Sequence, residues 1–124
     1  MEQDLPASEE FVITEVLRRG LDDWAQMADV TDVLMHYAGI TDPAVGQRVA
    51  LRIVSEILRR GLMRPGNVKE HVGFVPYASE HDAIELLKRS WPVDHFPSLG
   101  EFPLWLQLTE AGTKWLQSRG LTWD

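Results

Sequence analysis

The sequence predicts an α+β fold that is mostly helical and contains a small antiparallel sheet. Apolar residues recur at helical spacing in several segments, and two short segments rich in β-branched and aromatic residues are typical of strands. A glycine followed by an apolar residue, as in Gly39-Ile40 and Gly61-Leu62, is typical of a helix end. The length of 124 residues fits one domain. We place that domain at residues 8–124, after a flexible tail over residues 1–7.

Two helices are predicted in the first third of the chain. Ser8 can cap the first, because its hydroxyl can accept from a free amide of the first turn. Glu9 and Glu10 follow, where carboxylates stabilise the positive end of the helix. Asp22 and Asp23 offer a cap for a second helix, which we expect to continue to Ala38.

The clearest helix follows Asp42, a good N-cap, and begins at Pro43, whose missing N–H is not needed there. One buried stripe is predicted from apolar residues at i, i+3, i+4, i+7 and i+8, namely Ala50, Ile53, Val54, Ile57 and Leu58. Gly61 and Leu62 predict its end. The next four residues, Arg64 to Asn67, have the composition of a turn.

The second half of the chain alternates predicted strands and helices. His71 to Tyr77 is typical of a strand, and Ser79 can cap a helix over residues 79–90. A second strand is predicted over Phe102 to Leu108, and Thr109 can cap the last helix. We expect the two strands to pair antiparallel, with the helix at 79–90 inserted between them.

This order of elements resembles the winged helix-turn-helix of bacterial regulators of the multiple-antibiotic-resistance type. Leu58 to Arg64 is similar to the end of their recognition helix and the start of the first wing strand. Leu108 to Gly112, with its LTEAG sequence, is similar to the start of their closing helix. The resemblance implies a winged-helix-like domain, here with a helix inserted in the wing. The chain also looks like small bacterial proteins that carry GLDDW and GFVPY-like segments, a likeness that implies no function.

Charge is unevenly distributed along this acidic chain, whose formal net charge is −7. Arginines dominate residues 43–66, whereas acidic residues dominate the segments on either side. An acidic protein is a poor candidate for broad nucleic-acid binding, which depends on neutralising phosphates. The local basic segment leaves room for a small contact with DNA or with an acidic partner.

The outer face of the helix at residues 43–60 supplies the candidate contact residues. Three interpretations stay open for them: a solvated helix face, a surface for a protein partner, and a DNA-reading surface. Under the family resemblance, Gln47 and Arg48 would read bases, and the other arginines would meet phosphates. The candidates are Gln47, Arg48, Arg52, Ser55 and Arg59 on this helix, together with Arg64 in the turn predicted after it.

Tryptophan is abundant, with five residues in the chain. Trp105 alternates with the apolar side chains of its predicted strand, and Trp123 follows the last predicted helix. Neither position fits the predicted core. They either form a second apolar layer or lie on an exposed patch, and exposed aromatic residues favour a protein partner or a homodimer.

Catalytic and metal-binding patterns do not occur in this sequence. The chain has no cysteine, which excludes thiolate metal sites and a cysteine nucleophile and is compatible with a cytoplasmic location. The histidines lack metal-ligand spacing, and no phosphate-binding loop or serine-nucleophile motif occurs. We therefore expect no enzyme activity, no cofactor, no bound metal and no membrane span.

The hypothesis that best fits these patterns is a non-catalytic protein-interaction or regulatory module. The alternative hypothesis is a DNA-binding transcriptional regulator that uses the helix at residues 43–60.

Overall fold

The computed structural model describes residues 8–92, 94–99 and 101–122. The predicted tail over residues 1–7 therefore lies outside the described residues. In chain order the elements are α1 (Glu9–Arg19), β1 (Ala25–Gln26), α2 (Met27–Ala38), α3 (Pro43–Arg59), β2 (Met63–Lys69), β3 (Gly73–Pro76), α4 (Glu80–Ser90), β4 (Trp105–Leu108) and α5 (Glu110–Gln117).

Most helix ends follow the predicted chemistry. The carboxylate of Asp42 accepts from the amide of Val45 at 3.1 Å, which satisfies one of the free donors of α3. At the other end, Gly61 adopts φ +69°, a conformation that favours glycine. The amide of Leu62 then donates to the carbonyl of Ile57 at 3.0 Å, as expected for this type of helix stop.

The predicted start of the second helix at Asp22 and Asp23 is wrong. Helix α2 begins at Met27, and Gln26 and Asp29 form its capping box. The Asp29 carboxylate accepts from the amide of Gln26 at 2.8 Å. Aspartate is a favourable cap in general, but the stretch before Met27 is held as strand β1 in the sheet, so the helix cannot start earlier.

Within the described residues, the sheet has four antiparallel strands in the order β1-β4-β2-β3. The predicted turn at Arg64 to Asn67 is wrong, since these residues lie inside β2. The carbonyl of Pro65 points toward β3, where it accepts from the amide of Tyr77 at 3.0 Å. In an antiparallel strand the nitrogen of a residue points to the same side as its carbonyl. Pro65 is therefore tolerated, because its missing N–H removes no bond between β2 and β4.

The two predicted strands share this sheet but do not pair directly, so that pairing prediction is wrong. Strand β2 lies between β3 and β4 and pairs with both. The predicted inserted helix is α4, which follows the β2–β3 hairpin and precedes β4. The fold class is confirmed as α+β, with a layout consistent with a winged-helix-like domain.

The hydrophobic core lies between the helices and one face of the sheet. Ile53, Val54 and Ile57 of α3 are fully buried, as predicted, and α3 packs against α1, α2, α4 and β2. From the sheet, Met63 and Leu106 join the same core. Across the described ranges, no helix is both long and apolar enough to cross a membrane.

Candidate functional site

The candidate contact residues of α3 lie on the side of the helix opposite its buried stripe. Arg48, Arg52 and Arg59 are exposed, and Ser55 between them is half-buried. The helix therefore presents an arginine ridge, defined here by Arg48, Arg52, Ser55 and Arg59. What this ridge can do depends on which groups already contact it.

Arg52 pairs with a carboxylate of another helix. Its guanidinium lies 3.6 Å from the Glu9 carboxylate, in the first turn of α1. Both side chains remain partly exposed, at 42% and 37%, so water and salt weaken the attraction. The acidic N-terminus of α1 thus lies beside the middle of the arginine ridge.

Arg59 and Arg60 share one carboxylate on the same helix. Glu56 accepts from Arg59 at 2.5 Å and from Arg60 at 2.6 Å. The hydrogen bond from Arg59, followed by that from Arg60, lowers the pKa of Glu56 and keeps it ionised. The carboxylate offsets part of the positive charge at the C-terminal end of the ridge.

Gln47 faces α4 and does not stand free in solvent. Its side-chain amide donates to the backbone carbonyl of Lys88 at 3.2 Å. One residue earlier, the ring of Phe96 lies against Gly46 so closely that a Cβ there would collide with it. Helix α4 and the Phe96 segment therefore cover part of the N-terminal half of α3, where the family resemblance places base contacts.

A histidine with two carboxylate partners lies beside Phe96. The Nδ1 atom of His95 is 2.8 Å from the Asp94 carboxylate, and its Nε2 atom is 2.9 Å from the Glu101 carboxylate. Glu101 also accepts from the amide of Ser98 at 2.8 Å. Hydrogen bonds to Asp94 and then to Glu101 raise the pKa of His95. We call Asp94, His95 and Glu101 the histidine clasp.

The sequence interpretation did not identify this clasp. Asp94 and His95 are adjacent in the sequence, which is a signal for such a pair. Glu101 contacts His95 only in the folded chain. Within the part of the chain that the structure describes, no group of three or more acidic, histidine or cysteine side chains is placed to hold a metal ion.

Arg64 lies away from the arginine ridge, on strand β2. Its Nε donates to the side-chain oxygen of Gln107 on β4 at 3.1 Å. Its guanidinium also lies 5.8 Å from the centre of the Phe74 ring, a cation–π distance. The structure therefore separates Arg64 from the other candidate residues and places it among aromatic side chains.

Trp105 lies on the face of the sheet opposite the core. It is half-buried and pairs in register with Gln26 and Gly66. Trp24 and Phe74, which contact each other at 5.7 Å between ring centres, are half-buried outside the hydrophobic core. Trp123, the other candidate interface residue, lies outside the described residues.

A second partly apolar surface lies where α1 meets α2 and the end of α5. Phe11 and Tyr37 are each 42% exposed and make an edge-to-face contact at 5.3 Å. Beside them is an open groove of about 530 Å³, lined in part by Glu15, Arg18 and Leu121. Arg18 pairs with Glu15 at 3.2 Å, so these two charged groups of the lining already contact each other.

Comparison with known proteins does not assign the chain to a group. No family model, curated protein or solved structure matches it.

Proposed function

We propose that this chain is a non-catalytic protein-interaction or regulatory module built on a winged-helix-like fold that resembles the bacterial regulators named above. The main support for the proposal is that groups of the chain itself already bind three of the candidate contact residues. Arg52 pairs with Glu9, Arg59 pairs with Glu56, and Gln47 bonds to the backbone of α4. A cytoplasmic location is part of the proposal and agrees with the absence of cysteine.

The electrostatic cost of phosphate binding supports this choice. A phosphate approaching Arg52 would have to displace Glu9. Protein–DNA affinity arises largely from arginines and lysines that replace condensed counterions. An arginine already neutralised by the chain itself contributes little to that exchange.

The alternative is a DNA-binding transcriptional regulator that uses α3. Its support is the layout, in which the most basic segment of the chain forms a long helix directly before the β2–β3 hairpin. This alternative requires Glu9 and the α4 segment to move away from α3.

A mobility-shift titration tests the choice between the two functions. Native-promoter and random-sequence DNA are titrated with the intact chain at two salt concentrations, beside light scattering of the protein alone. We expect weak binding that does not distinguish the two DNAs. Tight, salt-dependent binding to the promoter fragment would overturn the proposal in favour of the regulator.

A further inference from the structure

We propose that the histidine clasp is a pH-sensitive latch, which holds Phe96 over the N-terminal half of α3 at acidic pH and releases it at alkaline pH. The latch segment is defined here as residues 94–99 and 101, which follow α4 and precede β4. The inference goes beyond the proposed function, which does not depend on pH.

The contacts of His95 require a charged ring. Its Nδ1 atom lies 2.8 Å from the Asp94 carboxylate, and its Nε2 atom lies 2.9 Å from the Glu101 carboxylate. A neutral imidazole has one N–H, and its other nitrogen presents a lone pair. An ionised carboxylate only accepts hydrogen bonds, so both contacts form together only when both ring nitrogens carry a proton. Loss of one proton therefore turns one of the two attractive contacts into a repulsive one.

Two carboxylates control the protonation of His95. The hydrogen bond to Asp94 has the largest effect, followed by that to Glu101, and both raise the pKa of the ring. The pKa values of the two carboxyl groups are lowered, so both stay ionised where the histidine titrates. Among the described residues, no charged side chain of α3 or α4 adds to these effects. The ring is therefore the member of the clasp whose charge changes near neutral pH.

Phe96 couples the clasp to α3, because it follows His95 directly in the chain. Its ring occupies the place where a Cβ of Gly46 would be, so it lies against the backbone of α3. The same ring packs against the edge of the hydrophobic core. A movement of His95 therefore moves the side chain that covers Gly46.

Little apolar contact holds the latch segment in place. Pro97 is buried and Phe96 is half-buried, whereas the other residues of the segment are exposed. The flanking residues are anchored separately, since Trp91 and Phe102 are buried in the core and their ring centres lie 6.1 Å apart. The segment can therefore open between two anchored ends while the core stays intact.

The contact between His95 and Glu101 is the one that closes the segment. It joins residues six positions apart in sequence, whereas Asp94 is adjacent to His95 and stays near it in any conformation. When His95 leaves, Glu101 keeps the amide of Ser98 as a donor at 2.8 Å. Loss of the ring proton therefore favours release of Glu101, and with it the opening of the latch segment.

NMR spectroscopy of the intact chain from about pH 5 to 9 tests the latch. The readouts are the His95 ring shifts and the nuclear Overhauser effect between the Phe96 ring and the α protons of Gly46. We expect this effect to be strong at acidic pH and to weaken with the midpoint of the His95 titration. The ratio of closed to open chain should fall about tenfold for each unit by which the clasp raises the pKa of His95. An effect that keeps its strength throughout the His95 titration overturns the inference.

Replacing the histidine separates the latch from other effects of pH. His95→Ala removes both carboxylate contacts, so the effect between Phe96 and Gly46 should be weak at every pH. His36→Ala is the matched control and should keep the wild-type response, because His36 also lies near a carboxylate, 3.5 Å from Asp32, but on α2. Circular dichroism verifies that both variants are folded. A wild-type response in His95→Ala also overturns the inference.

Asp94→Asn provides a second test that leaves His95 in place. The variant removes the charge with the largest effect on the ring, so the His95 midpoint should fall. The release of Phe96 from Gly46 should then move to lower pH by the same amount. A release that stays at the wild-type pH while the His95 midpoint falls would show that the clasp does not control the segment.

Discussion

At the scale of single residues, burial in α3 follows from helical spacing, whereas the pairing of Arg52 follows from the packing of two helices. The periodic apolar residues Ile53, Val54 and Ile57 are buried because helical spacing alone puts them on one side. The partner of Arg52 could not be predicted in this way. Glu9 is distant in sequence, and only the packing of α1 against α3 brings the two side chains together.

Replacing Ile57 by alanine tests the buried stripe. Ile57 is fully buried, so the variant should lose about 2–5 kcal/mol of unfolding free energy through lost burial and a residual cavity. Urea denaturation measures the loss. Val72, which is 70% exposed, provides the control, and Val72→Ala should change stability by less than about 0.5 kcal/mol. A loss below about 1 kcal/mol for Ile57→Ala would contradict its place in the core.

The histidine clasp gives a pH-dependent prediction. Asp94 and Glu101 raise the pKa of His95 above its ordinary value of 6.5, so the charged imidazole stabilises the folded loop. This contribution is complete below the unfolded pKa of the histidine and is lost as pH rises through the higher folded value. The pKa values of Asp94 and Glu101 are lowered, so their contribution is lost as pH falls through those lowered values.

NMR titration of the His95 ring tests this linkage. We expect a midpoint above 6.5 in the wild-type chain and a lower midpoint in Asp94→Asn and in Glu101→Gln, because each variant removes one hydrogen-bond acceptor. An unchanged midpoint in both variants would show that the clasp does not form.

At the scale of elements, helix ends with local signals were predictable and strand positions were not. The caps of α1, α3, α4 and α5 are the predicted residues, because a cap bonds to residues only a few positions away. The two residues of β1 carry too little pattern to indicate a strand. A proline and a glycine favour a turn locally, but the pairing of β2 with both neighbours overrides that preference.

Thr109 is the N-cap of α5 and also bonds to the turn that follows α3. Its replacement tests this connection. Its hydroxyl accepts from the amide of Gly112 at 3.1 Å and donates to the carbonyl of Gly61 at 2.6 Å. Thr109→Ala should therefore cost about 1–2 kcal/mol of unfolding free energy, at the upper end for a cap. Ser79→Ala removes the exposed cap of α4 and should cost less. Chemical denaturation measures the loss of unfolding free energy in both variants. Equal losses would contradict the connecting role of Thr109.

At the scale of the whole molecule, the fold class could be predicted but the strand order could not. Composition and periodicity indicate helices and strands separately, and both are present. The central place of β2 depends on pairing between segments far apart in sequence, which local patterns do not contain. The same limit applies to the face of the sheet opposite the core, where Trp24 and Phe74 meet only after the sheet has formed.

The distribution of charge over the whole molecule decides what the arginine ridge does. We assign Arg52 and Arg59 to internal ion pairs, and an acidic chain of net charge −7 then has little attraction for phosphates. The most direct measurement is the dependence of DNA affinity on salt for the wild-type chain and for Arg52→Ala, using the native promoter fragment. We expect weak binding with the same slope of log affinity against log salt in both proteins. Tight binding to the promoter, with a slope that falls by about one unit in Arg52→Ala, would contradict it.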